Sequence, residues 1–274
     1  MTEQGERYDR MASGYEQHWA PVLAPSALGL LDRLDPLIST GADRLLDVGA
    51  GTGNLSIGAL ARWPAVTITG IDPSREMLAV AADLARERVP GAEDRFSTRV
   101  AAAAELPFED ASFDAAMSSF VLQLVVRRGP ALREIRRVLR PGGRFFFVSW
   151  VANRSAFEPD RIFDALLDEF GFDEEDDPPR SGDFASVERA AAELRRAGFR
   201  DVRAEGALLD HAFGVDGYIR FLTDFDEESL FDDMGRSERR RFLARLRERL
   251  MALPPDALHF RAPIVYATGI RPER

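Results

Sequence analysis

Residues Leu45 to Asn54 read Leu-Leu-Asp-Val-Gly-Ala-Gly-Thr-Gly-Asn: an apolar run, an acid, three alternating glycines, and then a helical pattern. No other stretch constrains the chain as much. A short apolar run before a Gly-rich turn predicts a buried strand that turns where main chain approaches a ligand, since glycine has no Cβ to hold the ligand off. The helix behind the turn offers its first N–H groups to a polar group. Gly49, Gly51 and Gly53 are spaced G-x-G-x-G, one residue shorter than the G-x-G-x-x-G of dinucleotide sites. A second acid, Asp72, ends the next apolar run, Val66 to Ile71, where a strand–helix–strand unit places an acceptor for ribose hydroxyls. Two ordinary capped turns would explain either motif alone. The pair in this order points to an adenosine-type ligand lying across two strand ends.

The pattern around these motifs alternates strands and helices. Strands are expected at 45–49, 66–71, 95–101, 113–120, 143–150 and 199–207, with a last strand over Pro263–Thr268. Helices are expected at 54–62, 74–88, 129–139, 157–170 and 186–197. This predicts an α/β chain with a Rossmann-like, doubly wound seven-stranded sheet, its faces covered by helices. Residues 1–40 read as an N-terminal helical lid, with a break at Pro21 to Pro25 before a core-covering helix that ends near Gly41. The sheet core would then span 41–210, a helical insertion 211–260 would cap the substrate, and 261–274 would supply the last strand and tail. Asp173 to Pro179 reads as a solvated acidic connection.

Composition removes several chemistries. The chain has 274 residues, no cysteine and a net charge of −10, and all of its 36 basic residues are arginine. Thiolate nucleophiles, disulfides, Cys-ligated metals and lysine Schiff bases are therefore excluded. The acidic average field repels a phosphate backbone, so no nucleic-acid partner is expected. The polar N-terminus and the lack of a long apolar run predict a cytoplasmic protein with no membrane span.

Four blocks carry a family resemblance. Asp47 to Gly53 resembles the cofactor-binding motif of class I S-adenosylmethionine-dependent methyltransferases, and Gly70-Ile71-Asp72-Pro73-Ser74-Arg75-Glu76-Met77-Leu78 resembles their second-strand motif. Leu106-Pro107-Phe108-Glu109-Asp110 resembles the loop into the fourth strand, and Leu132 to Gly143 the helix and turn before the fifth. The order and spacing hold from about Leu45 to Trp150, closest to the branch that methylates small molecules, quinones and bacterial natural products. The resemblance implies a last strand antiparallel to the others and S-adenosyl-L-methionine as cofactor. It assigns cofactor contacts to Tyr15 in the lid, Asp47, Gly49, Ala50 and Gly51 in the first motif, and Asp72, Pro73 and Met77 in the second. Ala104, Glu105 and Ser119 complete the set. Relatives carry an Asp where this chain has Ala102, so Glu105 or the neighbouring main chain must hold the adenine amine.

Catalytic candidates are few. Gln123 stands where relatives often carry a histidine, and a neutral amide is no base. Imidazole titrates near working pH, so His18, His211 and His259 are each able to deprotonate a hydroxyl, although a surface histidine is the plainer reading of each. The expectation falls on His18, beside Tyr15 and Trp19, and on His211, which opens the insertion. No acids stand at the fourth strand end, so no metal is expected. Phe213, Tyr218, Phe221, Phe225 and Phe231 recur at near-helical spacing, as cap core or as an aromatic wall for a bulky acceptor. Arg236 to Arg249 reads as an amphipathic surface helix. Direct methyl transfer to a small, partly apolar metabolite is the expected activity. The alternative is a relative that keeps the cofactor while the cap does other chemistry.

Overall fold

The structure is a computed structural model that describes residues 8–9, 11–12, 14–153, 157–172 and 181–273. The acidic stretch Asp173 to Pro179 lies outside the described residues. Seven strands form one sheet: β1 (Arg44–Val48), β2 (Thr67–Asp72), β3 (Phe96–Val100), β4 (Phe113–Ser119), β5 (Leu139–Trp150), β6 (Arg200–Ala212) and β7 (His259–Ile270). Their order is β3-β2-β1-β4-β5-β7-β6, and β7 runs antiparallel to both of its neighbours. The order reverses between β1 and β4, and a crevice opens at the carboxyl ends of strands where this happens.

The strand sequences explain the layering. Successive residues of a strand point to opposite faces, so a strand covered on both sides is apolar throughout. Leu45, Ala115, Met117, Phe146 and Val148 pack into the core on one face. Their chain neighbours Leu46, Ala116, Phe145 and Phe147 pack into the core on the other. The first face is closed by α1 (Ala20–Ile38) and α2 (Asn54–Arg62), and α3 (Arg75–Arg88) lies along β2 and β3. On the second face lie α4 (Arg128–Val138) and, after α5 (Glu158–Phe170), α6 (Val187–Arg196).

Two expectations are corrected here. Pro21 and Pro25 do not break the N-terminal helix: a π-helical turn, Tyr15–Trp19, runs directly into α1 with Pro25 inside it. Both prolines face outward while Val22, Leu23, Leu30, Leu31 and Leu34 are buried on the sheet. That buried stripe outweighs the hydrogen bond that an interior proline removes. The second correction concerns length. β6 and β7 stay paired out to Ala212↔His259, well beyond Trp150↔Ile264 where β5 stops. The antiparallel pair therefore overhangs the carboxyl edge of the sheet as a two-stranded wall.

A third core sits above that edge. It joins α5 to the segment between β6 and β7, which folds as α7 (Val215–Phe221), a π turn (Leu222–Asp226), α8 (Glu228–Asp233) and α9 (Arg236–Met251). Phe163, Leu166 and Leu167 of α5 meet Phe231, Phe242, Leu246 and Leu250 there. The insertion does not close its core alone. Among the described residues no helix is long and apolar enough to cross a membrane.

Candidate active site

The turn after β1 is held by main chain. The N–H groups of Gly49 and Ala50 both donate to the carbonyl of Ile71, at 2.8 Å each, which ties the turn to β2. Gly49 has φ +75°, and a Cβ there would lie 2.3 Å from Cγ2 of Val121. The space that its glycine keeps open is thus filled by the protein itself. Gly51 differs: at φ +52° its added Cβ would meet nothing within 4 Å, and it faces the cavity. Here the glycine borders open space on the cavity side.

Asp72 joins the two loops. Its Oδ2 accepts from the N–H of Gly51 at 3.0 Å, and its Oδ1 from the N–H of Ser74 at 2.9 Å. Ser74 caps α3 by accepting from the N–H of Met77, and its hydroxyl donates to Asp9 of the lid at 2.6 Å. Asp9 also accepts from the N–H of Glu76, at 3.1 Å, so the N-terminal segment is pinned to the loop behind β2. Asp47 is 1% exposed; its Oδ2 accepts from the Ser56 hydroxyl at 2.6 Å, and the Ser56 main chain also hydrogen-bonds the carboxylate. Burial pushes its carboxyl up to about 7, and that of Asp72 up to about 6. Two buried acids this close to one loop favour hydrogen-bond donors or positive charge between them. The Thr52 hydroxyl, buried on the same wall, has no partner among the described residues.

A cavity of about 1510 Å³ begins at this loop and continues under the cap. An aromatic seam divides its two ends. Trp150 at the end of β5 packs on Phe120 (ring centroids 4.5 Å apart) and Trp19 (6.3 Å), and Phe260 of the overhanging wall lies 5.9 Å from Trp19. Phe120, directly after β4, has φ +54°, a strained backbone for a bulky residue. Gln123 holds it there. The amide Nε2 donates to the carbonyl of Phe120 at 2.6 Å, and Oε1 accepts from the Ser149 hydroxyl at 2.8 Å. Both ends of the Gln123 amide are therefore engaged in shaping the strand end. Beyond the seam Phe157, Phe213, Tyr218, Phe221 and Phe225 form the cap end, whereas Phe231 is fully buried in the cap core.

Most of the residues singled out in the sequence converge on this cavity. Tyr15, Asp47, Gly49, Ala50, Gly51, Asp72, Pro73, Met77, Ala104 and Ser119 all line it. Glu105 is exposed and does not; the wall at that point is Ala101 to Ala104. Neither His18 nor His211 lines the cavity. His18 sits between lid and cap, with Nε2 3.8 Å from Asp224, and His211 packs edge-on against Phe213, where burial lowers its pKa. His259 is on the cavity wall, its Nδ1 2.8 Å from Asp210, which Arg261 also holds. Sequence reasoning missed Asp160, Trp150 and Phe260, which have no local motif. A period-2 reading of β7 carried back to His259 would have placed Phe260 on the inner face of the wall.

Comparison with known proteins agrees with this geometry. A family model described as a methyltransferase domain matches residues 46–147. The ubiquinone/menaquinone biosynthesis C-methyltransferase UbiE of Geobacter sulfurreducens is 31% identical over 247 residues, covering 78% of this chain and 88% of that protein. Its counterpart in Geotalea daltonii is 39% identical over 114 residues, 40% of this chain, and the match spans about half of that protein (47%). Among solved structures the cyclase SpnF superposes with a TM-score of 0.52 at 28% identity, covering 88% of this chain and 81% of SpnF.

Proposed function

Because the chain belongs to the class I S-adenosylmethionine-dependent methyltransferase family, we propose that it methylates a small, partly apolar metabolite bound under the cap. The two-ended cavity carries this reading: a polar, loop-built end meets an aromatic, cap-built end at one seam. The polar end fits the cofactor. The Thr52 hydroxyl wants a partner, Gly51 leaves room beside the loop, and Asp47 and Asp72 favour donors and positive charge. S-adenosylmethionine brings those features as ribose hydroxyls, an ammonium and a sulfonium, and when bound it supplies an electrophilic methyl group.

The protein's own work is then placement. Asp72 would hold the ribose while fixing the Gly51 loop, and Asp47 would take the methionine end. Main chain from Ala101 to Ala104 would border the adenine in place of a carboxylate. Trp19, Phe120 and Trp150 exclude water at the seam, and alignment of reacting groups in a dry site supplies several kcal/mol of the barrier reduction. Neither His18 nor His211 reaches the cavity wall, which supports direct in-line displacement without a dedicated base at those positions. The reading extends to O-, N- or C-methylation in natural-product metabolism.

One observation favours a second reading. SpnF is named as a cyclase, and this chain matches most of its length. A cavity that holds the cofactor while the cap performs another reaction would look the same. Calorimetric titration with S-adenosylmethionine and S-adenosylhomocysteine, followed by a methyl-transfer screen with isotopically labelled cofactor, separates them. Binding with labelled product supports methylation. Tight binding with no transfer to any hydroxyl, amine or activated-carbon acceptor supports the second reading, and no binding of either ligand sinks both.

A further inference from the structure

The cap end of the cavity is ringed by aromatic side chains and holds a hydrogen bond that joins two of its elements. Tyr218, 1% exposed, sits among the rings of Phe157, Phe213 and Phe221 at centroid distances of 5.6 to 6.2 Å. Its hydroxyl donates to Oδ1 of Asp160 at 2.6 Å. Asp160 lies in the first turn of α5 and lines the cavity. A carboxylate in a first turn is ordinary when it faces solvent and complements the helix dipole. This one is turned against a buried phenol from another helix, and Tyr218 is its hydrogen-bond partner among the described residues. Burial raises the pKa of Asp160, and Asp164, one turn along the same helix face, raises it further. A carboxylate held against a phenol among aromatic rings favours a partner that brings positive charge.

The surroundings say which ligand relieves this. Asp164 and Asp226 also line the cavity and act electrostatically on the Tyr218 hydroxyl. Among the described residues the basic side chains of the wall are Arg127, which precedes α4, and, on the overhanging strands, His259 and Arg261, the latter held by Asp210 and Asp256. A carboxylate ringed by aromatic faces matches a cation that carries apolar substituents. A neutral hydroxyl would satisfy one oxygen of Asp160 and leave its charge uncompensated.

We propose that the cap end recognises its substrate through a basic nitrogen, with Asp160 as the counter-ion and Tyr218 as the residue that positions that carboxylate. This rests on the reading that the cap end is the acceptor site. It is independent of which substrate atom receives the methyl group.

The test compares three probes of one shape: naphthylmethylamine, naphthylmethanol and naphthoate, titrated at neutral pH into the full chain saturated with S-adenosylhomocysteine. The amine should bind at least about tenfold tighter than the alcohol, with naphthoate weakest. In Asp160→Asn that preference should vanish. In Tyr218→Phe it should fall to about a third, because the carboxylate remains but loses its clamp. Equal binding of amine and alcohol by the unmodified protein overturns the proposal, and needs no variant to do so. A preference that survives in Asp160→Asn overturns it as well. Loss of S-adenosylhomocysteine binding by the unmodified protein would instead strike the methyltransferase reading of the polar end.

Discussion

At the sheet edge the cavity wall is mostly main chain from Gly49 to Asp72, tied by hydrogen bonds between two consecutive loops. Under the cap the wall is side chains drawn from the lid, α5, the β6–β7 overhang and α7. The first end is specified by backbone conformation, so few residue types are tolerated at each position. The second is specified by ring packing, which accepts volume-conserving exchange. The contrast suits a protein whose cofactor is fixed and whose acceptor varies among relatives.

The contrast breaks most cleanly at Asp72. Asp72→Ala removes an acceptor shared by the Gly51 and Ser74 N–H groups together with the carboxylate proposed to hold the ribose. Calorimetry should show S-adenosylhomocysteine binding weakened at least about 100-fold, the loss of roughly 3 kcal/mol of charge-assisted hydrogen bonding. A change below about fivefold would mean that Asp72 only braces the loops.

Gly49 and Gly51 sharpen the same point, because they are alike in sequence and unlike in surroundings. Gly49→Ala forces a Cβ onto Val121 at a positive φ and should cost about 2 kcal/mol of stability, read as a lower Tm. Gly51→Ala meets open space, so only the φ strain of about 1 kcal/mol applies, and its larger effect should fall on cofactor affinity. Equal losses of Tm in the two variants would contradict the packing described for Val121.

How much of this was legible in one dimension follows from the same difference. The Gly loop, both acids and every strand of the sheet could be read because each depends on neighbours in sequence. At Gly49 the structure adds a reason for glycine that the sequence did not show, since a Cβ there would meet Val121. The lid helix was misread at Pro25, where tertiary burial of Leu30, Leu31 and Leu34 overrides a local breaker. The aromatic stripe of the insertion could not be divided in advance: Phe221 and Phe225 reach the cavity while Phe231 stays in the core. Asp160 was invisible because its partner, Tyr218, lies 58 residues away on another helix.

The polar end should also respond to pH. The carboxyls of Asp47 and Asp72 are raised from 3.8 to about 7 and about 6, so between about pH 4 and 7 the folded chain holds protons that the unfolded chain has released. Their contribution to stability is fully present below about pH 4 and is lost as pH rises through 6 to 7, by up to about 1.4 kcal/mol per unit for each group. Tm of the cofactor-free protein should therefore fall between pH 5 and 8 by a few degrees. A bound ligand that supplies donors and positive charge favours the ionised acids, so S-adenosylmethionine should bind about tenfold tighter at pH 8 than at pH 5. A cofactor-free Tm that rises over that range would show that the two acids are already compensated.

The smallest effect expected is at the two histidines that sequence reasoning favoured. His18 lies between lid and cap and His211 against Phe213, both off the cavity wall, so neither is placed to take a proton from a bound acceptor. His18→Ala and His211→Ala should leave S-adenosylhomocysteine affinity within about twofold, a difference under about 0.5 kcal/mol. Once an acceptor is known, the pH dependence of kcat should keep its shape in both variants. His259→Ala is the informative control, because His259 does line the cavity and is oriented by Asp210. If kcat lost its pH dependence in His18→Ala but kept it in His259→Ala, the lid would have to close further over the acceptor than it does here, and the division into a loop-built end and a cap-built end would need a third, mobile component.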